Sequence, residues 1–249
     1  MQYEEISISN IDLKGTLNIP SGASAIILFI HGSGSDRFST RNKYLSCLFN
    51  RNGFATFLID LLTEDEKRLD QVHKNYRFDI DLLTQRVVKI SDWIMGNPKT
   101  RNMAIGYFSS STGSVAALNA SVHFDNIGTI VAKSGRLDLL DKSTKYKLKI
   151  PILLIVGSWD SSIAKMNKTV YDELKENKLI KFTVIAHASH FFEEEGKLNE
   201  VFTISQNWYK RYLLNEKPKF NFPFKHYQSR LKSILELNNK LVFKFQDRS

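Results

Sequence analysis

The feature that most constrains the fold is a regular alternation of short apolar runs with longer segments of helical spacing. Runs typical of strands occupy residues 25–30, 54–59, 103–108, 127–132, 150–156 and 180–186. Helical patterns lie between or after them, at 40–51, 79–95, 112–122, 162–177 and 197–214. Because parallel strands need crossover connections, the alternation predicts a mostly parallel sheet with helices on both faces. Two leading runs, 3–9 and 12–19, predict an antiparallel N-terminal edge.

Length and composition exclude several classes of protein. The chain has 249 residues and one cysteine, Cys47, so an intrachain disulfide and a cysteine-ligated zinc site are excluded. Its longest apolar run, Ala25–Ile30, is far below the roughly 18 residues of a membrane-spanning helix. The acidic N-terminus does not resemble a secretory signal. We therefore expect a cytoplasmic protein with no membrane span.

The net charge of +9 is concentrated in two segments. Residues 216–249 hold eight Lys/Arg against three Asp/Glu, and residues 133–149 hold six against two. The first segment follows a proline-broken aromatic stretch, so we predict an α/β domain over 1–215 and a basic extension over 216–249. That extension is predicted to form an amphipathic helix packed on the domain or on a partner. No helix-turn-helix, zinc or RNA-recognition signature accompanies the charge, so nucleic acid is not an expected partner.

A serine-rich turn marks the most informative strand–helix junction. The window Ser109-Ser110-Ser111-Thr112-Gly113 fits the nucleophile pattern G-x-S-x-G if Ser109 replaces the first glycine. That register places Ser111 at the elbow between the strand and the helix. The alternative is that these serines only cap the helix.

Chain order supports the catalytic interpretation. In α/β-hydrolases the triad runs serine, acid, histidine, and each member follows a strand. Asp160 follows the strand at 150–156, and His190 follows the strand at 180–186. Asp160 could instead cap the next helix, and His187 competes with His190. We prefer His190 because it lies further into the loop.

The loop after the strand at 25–30 supplies a candidate oxyanion hole. One backbone N–H comes from the residue after the nucleophile, Thr112, and the other from this earlier loop. Ser33 is the predicted donor and Gly34 is the alternative. His31, in the same loop, is expected to be structural.

These stretches together resemble the dienelactone hydrolase-like branch of the α/β-hydrolases. The matching segments are 31–37, 60–66, 77–80, 111–114, 134–138, 154–157 with Asp160, and 190–196. The resemblance implies an α/β-hydrolase fold and identifies Ser111, Asp160 and His190 as the triad. Dienelactone hydrolases proper use a cysteine nucleophile, whereas this chain has serine at the matching position.

The surroundings of the site predict a small substrate. Only sixteen residues, 134–149, separate two strands where many α/β-hydrolases carry a lid, so we expect no large lid and a pocket that is open or closed by a second subunit of a homo-oligomer. Arg136 and Arg41 are candidate substrate-binding residues, although surface arginines paired with an acid fit the pattern as well. The lysines at 142, 145 and 147 are expected to border the site and favour an anionic substrate. The run Glu193-Glu194-Glu195 reads as a helix start, and no metal or cofactor is expected.

The predicted function is that of a serine hydrolase acting through an acyl-enzyme on a small carboxylic ester or related acyl substrate, which the basic loop favours as an anionic one. The same triad could transfer the acyl group to an alcohol or amine. A non-catalytic binding module on a hydrolase scaffold is the alternative from a different class.

Overall fold

The computed structural model describes residues 3–174, 176 and 179–215. Its strands are β1 (Tyr3–Ile8), β2 (Leu13–Asn18), β3 (Ala25–Ile30), β4 (Ala55–Ile59), β5 (Ala104–Ser110), β6 (Ile127–Lys133), β7 (Ile152–Gly157) and β8 (Ile180–Ile185). Its helices are α1 (Thr40–Arg51), α2 (Glu64–His73), α3 (Ile80–Gly96), α4 (Thr112–Ser121), α5 (Lys142–Lys147), α6 (Ser161–Leu174) and α7 (Lys197–Leu213). The predicted helix of the basic extension, 216–249, lies outside the described residues.

The eight strands form one mixed sheet in the order β1-β2-β4-β3-β5-β6-β7-β8. Strand β2 pairs antiparallel with both β1 and β4, whereas the pairs from β4 onward to β8 are parallel. The predicted parallel sheet with an antiparallel N-terminal edge is therefore confirmed. The carboxyl ends of β3 to β8 meet at one edge of the sheet, and the loops that follow β3, β5, β7 and β8 lie side by side there.

Side-chain alternation along the strands builds an apolar core on each face. On β6, Ile130 and Ala132 join the cluster beneath α3, α4 and α6, whereas Val131 joins the cluster beneath α1 and α7. Burial of these two faces supplies the main driving force for folding, at about 25 cal/mol per Å² of apolar surface removed from water. The helices on both faces hold the carboxyl edge of the sheet rigid.

Helix α2 was not predicted from the sequence. Its only buried residue is Asp70, and its two large apolar side chains, Leu69 and Val72, are 50% and 75% exposed. A helix without an apolar stripe gives no periodic signal. A capping box was the available signal, because Thr63 Oγ1 accepts from the Glu66 N–H at 3.2 Å and Glu66 Oε2 accepts from the Thr63 N–H at 2.8 Å.

The connection between β6 and β7 is short, as the sequence predicts. In residues 134–149 the structure has only a 3₁₀ turn, Leu137–Leu139, and the six-residue helix α5. No large lid is present in that connection. None of the helices among the described residues has the length and apolar character of a membrane span.

Candidate active site

Ser111 occupies a strained turn between β5 and α4. Its backbone angles are φ 50° and ψ −126°, in the left-handed region that residues with a Cβ rarely adopt. Its backbone N–H donates to the carbonyl oxygen of Lys133 at 3.2 Å, which ties the turn to β6. Such a turn at a strand–helix junction raises a side chain above the end of the sheet. Ser111 therefore lies in a tight turn with positive φ at the strand–helix junction where the sequence places the elbow.

Ser109 is accommodated inside the sheet where the family pattern has glycine. The residue is fully buried, and its hydroxyl donates to the carbonyl oxygen of Val131 on β6 at 3.1 Å. A buried hydroxyl with a partner carries no desolvation penalty of the kind that an unpaired one would. The serine therefore leaves the elbow at Ser111 intact.

The loop after β3 packs directly against the elbow. A Cβ on Gly32 would lie 2.7 Å from Ser111 Cβ, and a Cβ on Gly113 would lie 2.3 Å from the carbonyl oxygen of His31. Only glycine permits approaches this close. The backbone N–H of Ser33, the predicted oxyanion donor, donates to Thr112 Oγ1 at 2.9 Å. The backbone N–H of Thr112 has no intrahelical acceptor because Thr112 is the first residue of α4.

Asp160 and His190 are brought together by the loops after β7 and β8. Asp160 Oδ2 lies 2.5 Å from His190 Nδ1. The two loops touch at Gly157, where an added Cβ would lie 2.2 Å from the carbonyl oxygen of Ala188. A carboxylate that accepts from Nδ1–H holds the imidazole so that Nε2 presents its lone pair.

His187, the competing histidine, has other contacts. Its backbone N–H donates to Ser158 Oγ at 2.8 Å, and its ring meets the Trp159 ring edge to face. The geometry therefore couples His190, rather than His187, to Asp160.

The Asp–His pair and the elbow are joined through the end of β6. The Ser134 hydroxyl donates to the carbonyl oxygen of His190 at 3.0 Å, and the preceding residue, Lys133, accepts from the Ser111 N–H. Among the described residues, neither the Ser111 hydroxyl nor His190 Nε2 has a hydrogen-bond partner. In unliganded enzymes the bond between nucleophile and base is often long and tightens with substrate.

His31 is fully satisfied by backbone groups. Its Nδ1 lies 3.0 Å from the carbonyl oxygen of Gly32, and its Nε2 accepts from the Leu61 N–H at 3.1 Å. Burial lowers the pKa of His31 below its ordinary value, so the ring is neutral. His31 therefore ties the loop after β3 to the segment after β4.

The two arginines predicted to bind substrate are each paired with a carboxylate. Arg136 makes two parallel hydrogen bonds to Asp138, both 2.9 Å long. Arg41 pairs with Glu193 and stacks over the Phe191 ring, with 4.4 Å between Cζ and the ring centroid. Both arrangements match the alternative of an arginine held by a neighbouring acid.

The prediction that the lysines of 142–147 border the active site is wrong for Lys145. Its Nζ lies 2.8 Å from Oε2 of Glu173, near the C-terminal end of α6. That helix begins beside Asp160, and its 14 residues carry it about 20 Å away. Because β6 and β7 are parallel, the chain must run from the carboxyl end of β6 back to the amino end of β7, and α5 lies in this connection.

Sequence reasoning missed Lys133, the last residue of β6. Its side chain is only 5% exposed, and its Nζ lies 5.1 Å from the centroid of the Phe192 ring. Within the described part of the chain its ammonium has no carboxylate at ion-pair distance. Burial lowers its pKa to about 8. The available signal was a lysine that closes an otherwise apolar strand.

A cavity of about 200 Å³ is lined on one side by residues 31–36 of the loop after β3. Its walls include Leu61, Leu62, Gln71 and two cations, Lys67 and Arg77. Buried acids hold both cations. Asp60 Oδ2 lies 2.8 Å from Lys67 Nζ, and Asp70 pairs with Arg77. Ser111, Asp160 and His190 are not among the residues that line this cavity. No set of three or more metal-ligating side chains is clustered in the residues that the structure describes.

Comparisons with solved structures agree on the fold. An esterase of Pyrococcus furiosus, Pf2001, has a TM-score of 0.70 at 16% identity, over 85% of this chain and 92% of that chain. Est1E of Butyrivibrio proteoclasticus has a TM-score of 0.68 at 14% identity, over 84% of this chain and 97% of that chain. These likenesses identify the architecture as that of the α/β-hydrolases.

A more similar structure shows the family. The dienelactone hydrolase of Anabaena variabilis is 40% identical, with a TM-score of 0.80, over 86% of this chain and 100% of that chain. The chain therefore belongs to the dienelactone hydrolase-like family of α/β-hydrolases. No protein-family model matches it. Two curated proteins of Mycobacterium tuberculosis named "Putative phosphoribosyl transferase" are 34% identical over 221 residues. This match covers 88% of the chain but only 48% of those proteins, so the chain spans about half their length.

Proposed function

We propose that this chain is a serine hydrolase that cleaves a small carboxylic ester, or a related acyl substrate, through an acyl-enzyme on Ser111. The observation that carries the proposal is the 2.5 Å contact between Asp160 and His190 at the sheet edge that also holds the strained Ser111 turn. A serine hydroxyl is a weak nucleophile unless a neighbouring base takes its proton. An imidazole oriented by a carboxylate supplies that base.

The proposed reaction has two halves. Ser111 Oγ attacks the acyl carbon while His190 Nε2 accepts its proton, and Asp160 stabilises the imidazolium through Nδ1–H. When the tetrahedral intermediate collapses, His190 returns the proton to the leaving oxygen and the acyl group stays on Ser111. Water, deprotonated by the same imidazole, then attacks the acyl carbon, and His190 gives that proton to Ser111 Oγ as the acid leaves.

The substrate class follows from the space available. The absence of a large lid in 134–149 supports a small or exposed ester over a long lipid buried beneath a cap. The charge of the substrate stays a prediction, because Lys145 points to α6 rather than to the site. A panel of neutral and acidic esters of matched length tests it through the ratio of kcat/KM values.

Labelling by a fluorophosphonate probe tests the nucleophile directly. We expect the wild-type chain to be labelled and to hydrolyse short acyl esters, and Ser111→Ala to do neither. Ser110→Ala is the matched control, since it removes a hydroxyl from the adjacent position of the same turn and should keep both activities. A folded wild-type chain that neither reacts with the probe nor cleaves esters would overturn the proposal in favour of a binding module.

Acyl transfer uses the same acyl-enzyme and is separated by the acceptor. Alcohols or amines added to the ester assay would yield a transfer product in place of the free acid if the chain is an acyltransferase. Hydrolysis alone, across a range of acceptors, supports the hydrolase.

The name of the curated relatives raises phosphoribosyl transfer as a second activity. Those proteins are about twice as long as the region matched here, so their name describes a longer chain. Incubation with phosphoribosyl pyrophosphate and a panel of nucleobase acceptors, with detection of the phosphoribosylated base and of released pyrophosphate, tests this chain for it. Release that survives Ser111→Ala would require a site other than the elbow.

A further inference from the structure

Thr112, the residue after the proposed nucleophile, uses its side chain in an unexpected way. Its hydroxyl oxygen accepts the backbone N–H of Ser33 at 2.9 Å. That N–H is the one the sequence assigns to the oxyanion hole. A donor that already has an acceptor cannot also give a full hydrogen bond to a substrate oxygen.

The hydroxyl proton of Thr112 has no acceptor among the described residues. A threonine hydroxyl has one proton to donate, and its oxygen here is engaged as an acceptor. Among the described residues no acceptor takes that proton, although the side chain is only 1% exposed. Buried donors are usually satisfied, and this hydroxyl differs from the unpartnered hydroxyls of Thr84 and Ser205 in lying beside the proposed nucleophile, where a bound substrate could supply the acceptor.

The position of the hydroxyl suits a substrate oxygen. Ser111 Oγ lies 3.5 Å from the position a Cβ on Gly32 would take, and the next residue along, Ser33, contacts Thr112 Oγ1. The hydroxyl oxygens of Ser111 and Thr112 therefore both lie close to residues 32–33. An acyl carbon bonded to Ser111 Oγ would carry its oxygen into this neighbourhood.

The contact is also rigid. Thr112 is β-branched and lies in the first turn of a helix, where few rotamers are allowed. Gly113 and the His31 carbonyl are packed so closely that even a Cβ cannot be inserted between the loop and α4. A hydroxyl held this firmly keeps its orientation as the reaction proceeds, which is what a preorganised donor requires.

We propose that the Thr112 side chain is itself a donor of the oxyanion hole. Its hydroxyl accepts from the Ser33 N–H, which polarises it, and donates its own proton as a hydrogen bond to the substrate acyl oxygen. The Ser33 N–H donates to the Thr112 hydroxyl and not to the substrate, whereas the backbone N–H of Thr112 donates to the acyl oxygen itself. The inference rests on the proposed hydrolase function, and it replaces the direct role predicted for Ser33.

Thr112→Val removes the hydroxyl with little change of shape, and Thr112→Ser keeps it. We expect Thr112→Val to lower kcat for a short ester by about 10²-fold, the typical cost of one oxyanion donor, with KM little changed. Thr112→Ser should retain most of the activity. If Thr112→Val is as fast as the wild type or faster, the hydroxyl only occupies the Ser33 N–H and the proposal is wrong.

A thionoester substrate separates catalysis from a structural effect. Sulfur is a weak hydrogen-bond acceptor, so loss of an oxyanion donor should slow the ester more than the matched thionoester. A loosened fold would slow both equally, and that result would overturn the proposal. Where Thr112→Val fails to fold, Thr112→Cys serves instead. Its weaker donor predicts a kcat below that of Thr112→Ser, and equal values would contradict the inference. Ester cleavage that persists in Ser111→Ala would refute the proposed function itself rather than this role of Thr112.

Discussion

His31 and His190 lie in loops at the same edge of one sheet and have opposite relations to the protein. Both ring nitrogens of His31 are hydrogen-bonded to backbone groups, one to Gly32 and one to Leu61. His190 bonds Asp160 through Nδ1, and its Nε2 has no partner among the described residues. A histidine with both nitrogens occupied can only hold structure together, whereas one with a single oriented nitrogen can exchange a proton with a substrate.

Lys133 extends the comparison to a group with no acidic partner. It is buried near the site, and the charges that act on it are those of Arg41 on α1, Asp160 and Glu193. A buried ammonium without a paired carboxylate costs stability. The three side chains thus differ in their partners: His31 has a partner for each ring nitrogen, His190 for one, and Lys133 has no carboxylate at ion-pair distance among the described residues. We expect a different effect when each is replaced.

The largest effect is expected from His190→Gln. We expect kcat to fall by at least about 10⁴-fold, because the Ser111 proton loses its acceptor. The free energy of unfolding should change by about 1–3 kcal/mol, since the ring makes one side-chain hydrogen bond and its partner is a carboxylate. Steady-state kinetics and urea denaturation measure the two quantities. His187→Gln is the control and should keep full activity. Full activity in His190→Gln would abolish the contrast between the histidines.

His31→Ala should have the opposite effect to His190→Gln, with a large loss of stability and a small loss of kcat. Loss of two buried hydrogen bonds and of the ring volume is expected to lower the free energy of unfolding by about 2–4 kcal/mol. The fall in kcat should be far smaller than for His190→Gln, because no reacting group is removed. Urea denaturation checks the first value, and a catalytic loss as large as that of His190→Gln would contradict the structural role.

We expect the contribution of His31 to stability to depend on pH. Burial holds its pKa below the ordinary 6.5, so the unfolded chain takes up a proton below that pH while the folded chain does not. The contribution of His31 is therefore complete above pH 6.5 and is lost as the pH falls. Denaturation curves between pH 7 and pH 5 should show the advantage of the wild type over His31→Gln shrinking with acid; a constant difference would show that His31 does not titrate as proposed.

Lys133→Met is expected to stabilise the fold by roughly 1–3 kcal/mol at neutral pH, because it removes a buried charge. Its folded pKa is about 8 and its ordinary value is 10.5, so the folded chain loses the proton first as the pH rises. The gain should be full below pH 8 and shrink toward pH 10.5. Thermal unfolding at several pH values measures it, with exposed Lys165→Met as the control. A destabilised Lys133→Met would mean that its contact with Phe192 outweighs the cost of burial.

The smallest effect is expected from Arg136→Gln. Its exposed pair with Asp138 should contribute about 0.2–1 kcal/mol to the free energy of unfolding. Because that pair occupies the guanidinium, KM for an acidic ester should stay unchanged. A rise in KM for acidic esters, with neutral esters unaffected, would instead assign substrate binding to Arg136.

Topology explains why the fold and the order of the candidate site were predictable. Strand–helix alternation gave the parallel sheet, and parallel strands bring their following loops to one edge. Placing Ser111, Asp160 and His190 after three such strands was therefore enough to predict that they lie at a common edge. The choice of His190 over His187 rested on its position further into the loop, and the structure couples Asp160 to His190.

The rest depended on tertiary contacts or on elements without a periodic pattern. Lysine at the end of a strand is normally solvated, so the burial of Lys133 beneath Phe192 has no local signature. The bond from Ser33 to Thr112 joins residues 79 positions apart. Helix α2 presents Asp70 to the interior in place of an apolar stripe, and α5 is too short to show a period.

The hydrogen bond of Ser109 to Val131 has a consequence for how such enzymes are found. A search pattern that insists on glycine two positions before the proposed nucleophile would pass over this chain. The structure restates the requirement in physical terms: the side chain there must be small, and if it is polar the neighbouring strand must offer it an acceptor. A pattern that also allows serine at this position would find sequences with the same turn that a pattern requiring glycine would miss.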